Sequence, residues 1–380
     1  MPKGRVLIAV SSVGLGHAAR ARVYGQLLER LGFAVEYYAP EPAGSYIEAW
    51  GGKVLPISRE VESLSVYLER HWLETGSGLI GLRAALEEHR AALEAGRRLL
   101  EAVDLGSYDL VVAEEAWEIM SVAERMATPK AWIADFVGYR PVGLRGALAA
   151  WAVNRFLLRR YRLFSSRLYV GLPTRDLSWR MKPLGPRAVE VLKLFENVGP
   201  VPAFLPGELV ERDEARRKLG LPPDAKVVLI QLGGTRAGED IVERVARAAA
   251  SEGLLPAVAR GPRARARVPH GALDLGYQPQ LPALLRAFDC AYTLAGLSTV
   301  ASLAAAGIPA VLRPLPRHFE QEENARIAPR LWPDVFARAG EDPGSDVRRV
   351  CSKRPSSGHE ALHRNAARVA QLLASIARSL

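Results

Sequence analysis

The feature that most constrains the fold is the regular alternation of short, uninterrupted apolar runs with segments of helix length. Strands that are apolar throughout are typical of parallel sheets with both faces covered by helices. The sequence therefore predicts an α/β fold. The runs predicted as strands are 5–10, 34–40, 109–114, 130–136 and 167–171 in the first half, and 226–234, 254–261, 290–296 and 308–315 in the second.

A proline-rich passage, "ENVGPVPAFLPGE" at 196–208, interrupts this alternation and marks a domain boundary. A chain of 380 residues is long enough for two domains. We predict two doubly wound Rossmann-like domains, 1–200 and 201–355, which face each other across a cleft. The remaining segment, 356–380, has the apolar spacing of a surface helix, and we expect it to pack back on the first domain.

Composition limits the class of protein but selects no function. No apolar run approaches the ~20 residues that span a bilayer, and the N-terminus leads directly into a strand instead of a secretory signal. The two cysteines, Cys290 and Cys351, form no disulfide framework or metal set, so we expect a reduced, cytoplasmic protein with Cys290 in the core. The formal charge of +10 favours anionic partners, but it is also common in proteins from GC-rich or hot-living organisms.

Doubly wound sheets bind ligands at the carboxyl ends of their strands, so the loops there carry the functional predictions. The first such loop, "SSVGLGHAARAR", follows strand 5–10. Gly14 and Gly16 let the backbone bend and a ligand approach. His17 starts the next helix, whose dipole keeps the imidazole neutral and able to act as a base. The G-x-G-H spacing is not that of a dinucleotide loop, and a helix-capping role for His17 is the alternative.

A second glycine loop, "QLGGTRAGED" at 231–240, lies between a predicted strand and a helix. The backbone N–H groups of Gly233, Gly234 and Thr235 can hold a phosphate at the helix N-terminus, with Arg236 beside them. No G-K-[ST] follows, so this is not a Walker loop. An ordinary strand-to-helix turn is the alternative.

The third loop is the most informative. Gly296, Ser298 and Thr299 open a helix and so form another N-terminus that can bind an anion. The strand after that helix delivers "HFEQEENA" to its own carboxyl end. There Glu320 and Gln321 present a carboxylate and an amide, which suit the vicinal hydroxyls of a sugar.

Four segments together resemble the glycosyltransferases of the GT-B fold. The closest resemblance is to the lineage of the N-acetylglucosaminyltransferase of peptidoglycan synthesis and its archaeal relatives. The resemblance covers nearly the whole chain in architecture and is specific in sequence mainly over 226–325. The segments that carry it are "GLGHAARAR" (14–22), "LGGTRAG" (232–238), "GYQPQLPALLRAFDCAYTLAG" (276–296) and "GLSTVASLAAAGIPAVLRPLPRHFEQEENA" (296–325).

This resemblance implies that the second domain binds a nucleotide-diphosphate sugar, a UDP-sugar, with Tyr277 and its neighbours lining the base. It implies that Gly233, Gly234, Thr235 and the Gly296–Thr299 turn hold the diphosphate, and that Glu320 and Gln321 hold the sugar. The first domain would bind the acceptor, with the Gly14–His17 loop at the cleft. One position departs from the pattern: Ser302 stands where the bacterial enzyme has the glutamate that grips the ribose.

An inverting transfer needs a base for the acceptor hydroxyl and charge support for the leaving diphosphate. The chain has no D-x-D-type metal site, so helix N-termini and arginines must supply that support, with no metal and no cofactor beyond the donor. His17 is the candidate base. Glu114, at the end of strand 109–114, is its candidate orienting partner; Glu115 and Asp135 are rivals, and each of these carboxylates has helix capping as its alternative.

The segment 142–167 mixes apolar residues with five arginines and predicts an amphipathic helix that can lie on an anionic membrane. A core-packed helix with a solvated basic face is the alternative. The family resemblance favours a lipid-linked acceptor. Other functions also stay open: a nucleotide-sugar 2-epimerase, a non-catalytic sugar-nucleotide sensor and a nucleic-acid-associated protein. The last lacks an aromatic platform among its basic residues, so no specific nucleic acid is expected.

Overall fold

The computed structural model describes residues 2–64, 66, 70, 82–138, 143–173, 191–231, 241–265 and 267–378. Two parallel sheets of six strands each organise these residues. The strands are β1 Arg5–Val10, β2 Ala34–Tyr38, β3 Leu110–Glu114, β4 Lys130–Ala134, β5 Ser166–Tyr169, β6 Glu196–Asn197, β7 Val227–Gln231, β8 Leu255–Ala259, β9 Leu273–Gly276, β10 Cys290–Leu294, β11 Ala310–Arg313 and β12 Phe336–Arg338.

Helices connect the strands and cover both faces of each sheet. The α-helices are α1 Gly16–Arg30, α2 Ala43–Glu48, α3 Leu82–Ala102, α4 Trp117–Val122, α5 Gly143–Tyr161, α6 Arg212–Leu219, α7 Val242–Ser251, α8 Leu297–Ala306, α9 Phe319–Leu331, α10 Pro343–Cys351 and α11 Ala361–Arg378. Short 3₁₀ helices cover Pro56–Arg59, Leu105–Ser107, Ala123–Arg125, Pro206–Glu208 and Leu281–Ala287.

The first sheet has the strand order β2-β1-β3-β4-β5-β6, and the second has β12-β11-β10-β7-β8-β9. The central strands are buried along nearly their whole length, because helices pack on both faces. In the first sheet, Val6 is in register with Val35 of β2 and Leu110 of β3, so the carboxyl ends of these strands lie at one edge. The prediction of an α/β fold with two Rossmann-like domains is confirmed.

The chain crosses between the two sheets at 198–205 and returns before α11. Val201, Ala203 and Leu205 pack in the same apolar core as β1 and α1. The buried stripe of α11, which includes Val369 and Leu373, belongs to that core as well. The C-terminal helix therefore covers the first sheet, although it follows the last strand of the second.

The expectation of two unpaired thiols is wrong. Cys290, the first residue of β10, and Cys351, the last residue of α10, form a disulfide. Both cysteines are buried, so Cys290 does lie in the core, but as half of a covalent link between a central strand and a covering helix. Two cysteines separated by 61 positions give no sign in sequence that the fold brings them together.

The predicted segment 142–167 contains α5, then a turn and the first two residues of β5. Within its described side chains, Leu157 and Tyr161 are buried, whereas Val153 and Phe156 are 39% and 44% exposed. The arginines at 155, 159 and 162 are exposed. The helix thus combines a core-packed face with an outer face that is both basic and apolar. In the part of the chain that the structure covers, no helix is long and apolar enough to cross a bilayer.

Candidate active site

The loop from β1 to α1 lies where the two domains meet. Gly14 has a backbone φ of +73°, a conformation that favours glycine. Gly16 is close to the other domain, since a Cβ added there would lie 3.3 Å from the Cβ of Ser298 at the start of α8. The N-termini of α1 and α8 therefore approach each other across the cleft. His17, on the first turn of α1, is placed beside this junction.

The imidazole of His17 faces two carboxylates that follow one another at the end of β3. Its Nδ1 lies 3.3 Å from Oε1 of Glu114, and its Nε2 lies 3.9 Å from Oε2 of Glu115. Glu114 is fully buried, while the side chain of His17 keeps 13% of its exposure. The structure thus brings together His17 and Glu114, as the sequence predicted, and Nε2 of His17 faces Glu115.

Arg20 organises this cluster, and sequence reasoning missed its role. Its side chain is 1% exposed. Nε and Nη2 lie 3.0 and 2.6 Å from Oε1 of Glu114, and Nη1 lies 2.8 Å from Oδ2 of Asp135. Burial opposes the charge on Arg20, but the two carboxylates outweigh it and raise its pKa well above the usual value. The signal that was available is its i+3 position from His17 in a run of alanines, which places both residues on one helix face.

Arg20 also touches the histidine. Its Nη2 lies 3.0 Å from Nδ1 of His17, closer than the Glu114 oxygen. A guanidinium can only donate, so this contact requires a lone pair on Nδ1, whereas the Glu114 contact requires a proton there. Donation from Arg20 and donation to Glu114 are therefore two exclusive states of the ring. In the neutral ring, the lone pair is on Nδ1 when Arg20 donates to it, and on Nε2 when Nδ1–H donates to Glu114.

Glu115 is held in an unusual conformation. Its φ is +47°, which a residue with a long side chain rarely adopts. Its Oε1 accepts hydrogen bonds from the backbone N–H groups of Asp135 and Phe136, over 2.8 and 3.1 Å. Oε2 is thereby turned toward His17. The helix-capping alternative for Glu115 thus holds only in part. Glu115 does bind backbone N–H groups, but they belong to the loop after β4 and not to the helix that follows Glu115.

Glu115 and Asp135 are neighbouring carboxyl groups joined by a hydrogen bond. Burial and the neighbouring Asp135 raise the pKa of Glu115 well above its usual range. Burial acts against the charge of Asp135 too, but Arg20 and His17 outweigh it and lower the pKa of Asp135. The two pKa values therefore shift in opposite directions, so that protonation is favoured on Glu115 over Asp135.

The same groups have the spacing of a metal site. His17, Glu115 and Asp135 each offer a ligand atom, and these atoms lie within 4.8 Å of one another. A mixed nitrogen and oxygen set of this kind suits a divalent ion such as Mn²⁺ or Zn²⁺. The guanidinium of Arg20, 2.8 Å from Asp135, already supplies a positive charge at this position. A divalent ion bound there would lie close to that charge and be repelled by it.

The second domain faces this cluster with α8 and α9. Gly296 is the N-cap residue of α8, and the first turn includes Ser298, which lies beside Gly16 of the first domain, and Thr299. The backbone N–H of Leu297 in this turn is bound by Glu320. Glu320, on the first turn of α9, accepts a hydrogen bond from Nδ2 of Asn324 over 2.9 Å. Burial, and then the charge of Asp135 across the cleft, raise the pKa of Glu320 to about 8.

Phe319 and Gln321 flank Glu320 at the start of α9. Phe319, beside Glu320, packs against Phe136 of the first domain with ring centroids 4.8 Å apart. The side-chain oxygen of Gln321 accepts a hydrogen bond from the backbone N–H of Leu315 over 3.1 Å, so the NH₂ group of Gln321 remains for a ligand. Gly233, Gly234, Thr235 and Arg236, which were predicted to hold the diphosphate, lie outside the described residues.

Ser302 does not face the cleft. Its Oγ accepts the backbone N–H of Ala203 over 2.9 Å and donates to the carbonyl of Ser298 over 2.7 Å. The residue is 3% exposed and ties α8 to the interdomain connection. Tyr277, which was predicted to line the base, follows β9 directly, with its hydroxyl buried.

Comparison with known proteins places this site in context. No protein-family model matches the chain. An uncharacterised glycosyltransferase of Methanopyrus kandleri is 36% identical over 133 residues, which are 34% of this chain and 38% of that protein. The UDP-N-acetylglucosamine–N-acetylmuramyl-(pentapeptide) pyrophosphoryl-undecaprenol N-acetylglucosamine transferase of Rhodococcus opacus is 36% identical over 124 residues, 30% of this chain and 32% of that enzyme. The matches thus span less than two fifths of either relative.

Solved structures match over nearly the full length. The glycosyltransferase of kitacinnamycin superposes with a TM-score of 0.60 at 17% identity, covering 99% of both chains. A spinosyn rhamnosyltransferase complexed with thymidine diphosphate gives 0.56 at 15% identity, covering 99% of this chain and 96% of that one. The predicted GT-B fold and the predicted resemblance to the N-acetylglucosaminyltransferase lineage are both confirmed.

Proposed function

We propose that this chain is an inverting, metal-independent glycosyltransferase that moves a sugar from a UDP-sugar to an acceptor hydroxyl. The observation that carries the proposal is the position of His17. It lies at the junction of the two domains, backed by Glu114 and Arg20, with the N-terminus of α8 across the cleft. The similarity to named glycosyltransferases in sequence and in fold supports the same reaction class.

In the proposed reaction, the acceptor hydroxyl lies against Nε2 of His17, because Nδ1 is the nitrogen that Glu114 and Arg20 contact. The acceptor oxygen attacks the anomeric carbon on the face opposite the diphosphate, so the configuration inverts. The bond from that carbon to the diphosphate oxygen breaks, and its electron pair leaves with the nucleoside diphosphate. His17 takes the acceptor proton. Glu114, 3.3 Å from Nδ1, then stabilises the charged ring.

The leaving diphosphate needs positive charge, and the proposal assigns it to main-chain N–H groups. The first turn of α8 presents such groups at Gly296, Ser298 and Thr299. Gly233, Gly234, Thr235 and Arg236 are proposed as the second half of that site. Glu320 and the NH₂ group of Gln321 are proposed to hold the sugar. Because Arg20 already places a cation in the carboxylate cluster, the proposal requires no metal.

For the acceptor we propose a lipid-linked molecule that is reached from the inner face of a membrane. The Rhodococcus relative is named for an undecaprenol-linked acceptor. On this chain, α5 exposes Val153 and Phe156 among arginines, a surface suited to an anionic bilayer. The protein would then be cytoplasmic and bind the membrane peripherally. Binding to vesicles that contain phosphatidylglycerol, and loss of that binding in F156S/R159S, would test this contact.

The donor is tested by thermal shift with UDP-, GDP-, dTDP- and ADP-sugars, because a ligand that binds the folded state raises Tm as ln(1 + [L]/Kd). We expect UDP-sugars to give the largest shift. Release of UDP in the presence and absence of EDTA then tests metal independence, and NMR of the product anomer tests inversion. Loss of turnover in EDTA, or retention of configuration, would contradict the mechanism proposed here.

One observation favours a second candidate, a nucleotide-sugar 2-epimerase. Such an enzyme needs several acids and histidines near the anomeric region. The cleft brings Glu115, Asp135 and Glu320 together with His17. His318 is also near Asp135, whose charge acts to raise the pKa of His318 against the effect of burial. Incubation with UDP-N-acetylglucosamine in D₂O separates the two candidates, since an epimerase exchanges the C2 proton and a transferase leaves it in place.

A further inference from the structure

The two domains touch through a pair of phenylalanines at the candidate site. Phe136 lies in the loop after β4 of the first domain, and Phe319 is the first residue of α9 in the second. Their ring centroids are 4.8 Å apart, with the ring planes inclined by 55°, and both residues are half-buried. Phe136 follows Asp135 in the chain, and Phe319 precedes Glu320. The contact therefore joins the carboxylate cluster of the first domain to the proposed sugar-binding residues of the second.

Phe136 is held in place by Glu115 of its own domain. One oxygen of this buried carboxyl group accepts the backbone N–H groups of Asp135 and Phe136, over 2.8 and 3.1 Å. Glu115 has a φ of +47°, a strained conformation that persists only where the surrounding structure fixes it. Its other oxygen lies 3.9 Å from Nε2 of His17. The position of Phe136 is thus set by the residue that also faces the proposed base.

Phe319 is held in place by contacts at the start of α9. His318, the N-cap residue, accepts the backbone N–H of Gln321 on its ring nitrogen over 3.5 Å. Asn324 is 5% exposed and donates over 3.0 Å to the carbonyl of Ala295, just before α8. Both phenylalanine rings are therefore carried by backbone that is fixed within its own domain, and movement of one domain relative to the other separates them.

The polar groups beside this contact are shielded from solvent, although they lie between two domains. The side chains of Arg20 and Asp135 are 1% and 9% exposed, and that of His17 is 13% exposed. On the opposite side, burial raises the pKa of Glu320 to about 8. Charged groups in an open cleft are solvated, so the burial of these groups indicates a closed cleft. The two rings close one edge of this region, and the approach of α1 to α8 closes another.

Exclusion of water matters for the proposed reaction, because water can replace the acceptor. In that side reaction, the oxygen of water bonds to the anomeric carbon, and the bond from that carbon to the diphosphate oxygen breaks with its electron pair on the diphosphate. His17 takes the proton, and the products are the free sugar and the nucleoside diphosphate. The base that serves the acceptor would thus also serve water. An apolar closure of the site prevents this kind of hydrolysis.

We infer that Phe136 and Phe319 form a gate at the cleft, which excludes water from the anomeric carbon and so makes the enzyme select transfer over hydrolysis. This inference rests on the proposed transfer from a nucleotide-diphosphate sugar. It adds two specificity-determining residues that touch no reacting atom. The gate opens when the domains separate to admit the substrates, and it closes when α9 returns to the loop after β4.

The test is hydrolysis of a nucleotide sugar by the full chain in the absence of any acceptor. The probe is the nucleotide sugar that gives the wild type its largest shift of Tm. Release of the nucleoside diphosphate and of the free sugar is followed for the wild type, Phe136→Ala and Phe319→Ala. We expect each variant to hydrolyse the probe roughly tenfold faster than the wild type, equivalent to about 1.4 kcal/mol in the barrier. The shift of Tm caused by the probe should not change. Misfolding would lower the rate, so a rise in rate is not a consequence of lost structure.

Three further variants sharpen the test. Phe156→Ala removes the same ring from the outer face of α5, where Phe156 is 44% exposed, and should hydrolyse the probe at the wild-type rate. Phe319→Leu keeps an apolar side chain and should restore much of the protection against hydrolysis. Phe136→Ala/Phe319→Ala should be no faster than the faster single variant, since the loss of either ring already opens the gate.

The outcomes separate the two proposals. If the wild type binds the nucleotide sugar and the alanine variants hydrolyse it no faster, the gate is wrong, while the proposed function stands. Multiplication of the two effects in the double variant would also overturn the gate, since the rings would then act separately. If no nucleotide sugar shifts the Tm of the wild type, the proposed function is wrong and this inference falls with it. If His17→Ala leaves the fast hydrolysis of Phe319→Ala unchanged, the proposed base is wrong and the gate stands.

Discussion

Arg20 donates to Glu114 over 2.6 Å from a position where both side chains are almost completely shielded from solvent, at 1% and 0% exposure. The same guanidinium holds Asp135 at 2.8 Å. One cation therefore neutralises two strand-end carboxylates and also contacts Nδ1 of the proposed base. Arg20 therefore sets the charge of this cluster and contributes to the orientation of His17.

Replacement of Arg20 should lower the stability of the folded protein. Arg20→Met leaves Glu114 and Asp135 buried without a counter-charge, and we expect the free energy of unfolding to fall by about 3–5 kcal/mol. Urea denaturation measures the loss. Arg98→Met is the matched control, because Arg98 is an exposed partner of Glu94 and should change stability by less than about 0.5 kcal/mol. A loss below about 1 kcal/mol in Arg20→Met would show that the pair is not needed for the fold.

His17→Ala should lower the rate of sugar transfer about 10²- to 10⁴-fold, the usual contribution of a general base. Binding of the nucleotide sugar should not change, since His17 is proposed to contact the acceptor and not the donor. Turnover and calorimetric titration together check both statements. His270→Ala, at an exposed position, should retain full activity. A small loss of rate in His17→Ala would move the base to Glu115 or Asp135.

Glu320→Ala should weaken binding of the whole nucleotide sugar and spare the nucleotide diphosphate alone. The reason is that the carboxyl is proposed to touch only the sugar. Calorimetric titration with UDP and with UDP-N-acetylglucosamine compares the two ligands. The assignment fails if both lose affinity to the same extent.

Stability should fall as pH rises because of Glu118, on α4. Its side chain is fully buried, and neither carboxylate oxygen has a partner in the described part of the chain. Burial, and then nearby Glu88, raise the pKa of Glu118 from 4.5 to about 7. The folded state thus prefers the protonated acid. That stability is complete below pH 4.5 and is lost by the time the pH has passed about 7, a change of roughly 3 kcal/mol.

Glu118→Gln removes this titration and keeps the shape of the side chain. Denaturation at pH 5 and pH 8.5 should therefore show a smaller difference in the variant than in the wild type, with the variant more stable at pH 8.5. Glu101→Gln, at an exposed site on α3, should keep the wild-type difference. Identical pH dependence in wild type and Glu118→Gln would rule out Glu118 as its source.

The link between Cys290 and Cys351 should contribute to stability. It closes a loop of about 60 residues, for which the chain-entropy relation gives about 4 kcal/mol. Alkylation of the unfolded, unreduced protein should label neither cysteine, and reduction should lower Tm. Complete labelling without a reductant would show that the thiols are free in the protein as expressed.

The fold could be predicted from the sequence because each central strand is an uninterrupted apolar run. Every predicted apolar run overlaps a strand, since strands buried on both faces must be apolar along their length. Three strands were missed: β6, β9 and β12. They have two to four residues and lie at the sheet edges, where one side needs no partner and no long apolar run is required.

The site was predictable only in part. The rule that catalytic groups follow strand ends selected His17, Glu114 and Asp135 as candidates, and the structure places them together. Arg20 was missed because an arginine on a helix is ordinarily assigned to the solvated face. Its burial depends on two carboxylates that come from other parts of the chain. The disulfide was missed for the same reason, since the separation of two cysteines in the sequence does not show whether they are close in the fold.

The route of the chain between the two lobes has a mechanical consequence. It crosses at 198–205 and crosses back ahead of α11, whose buried stripe is embedded in the first lobe. Two connections restrict the movement of the lobes relative to each other more than a single connection would, and this favours one position of α1 opposite α8.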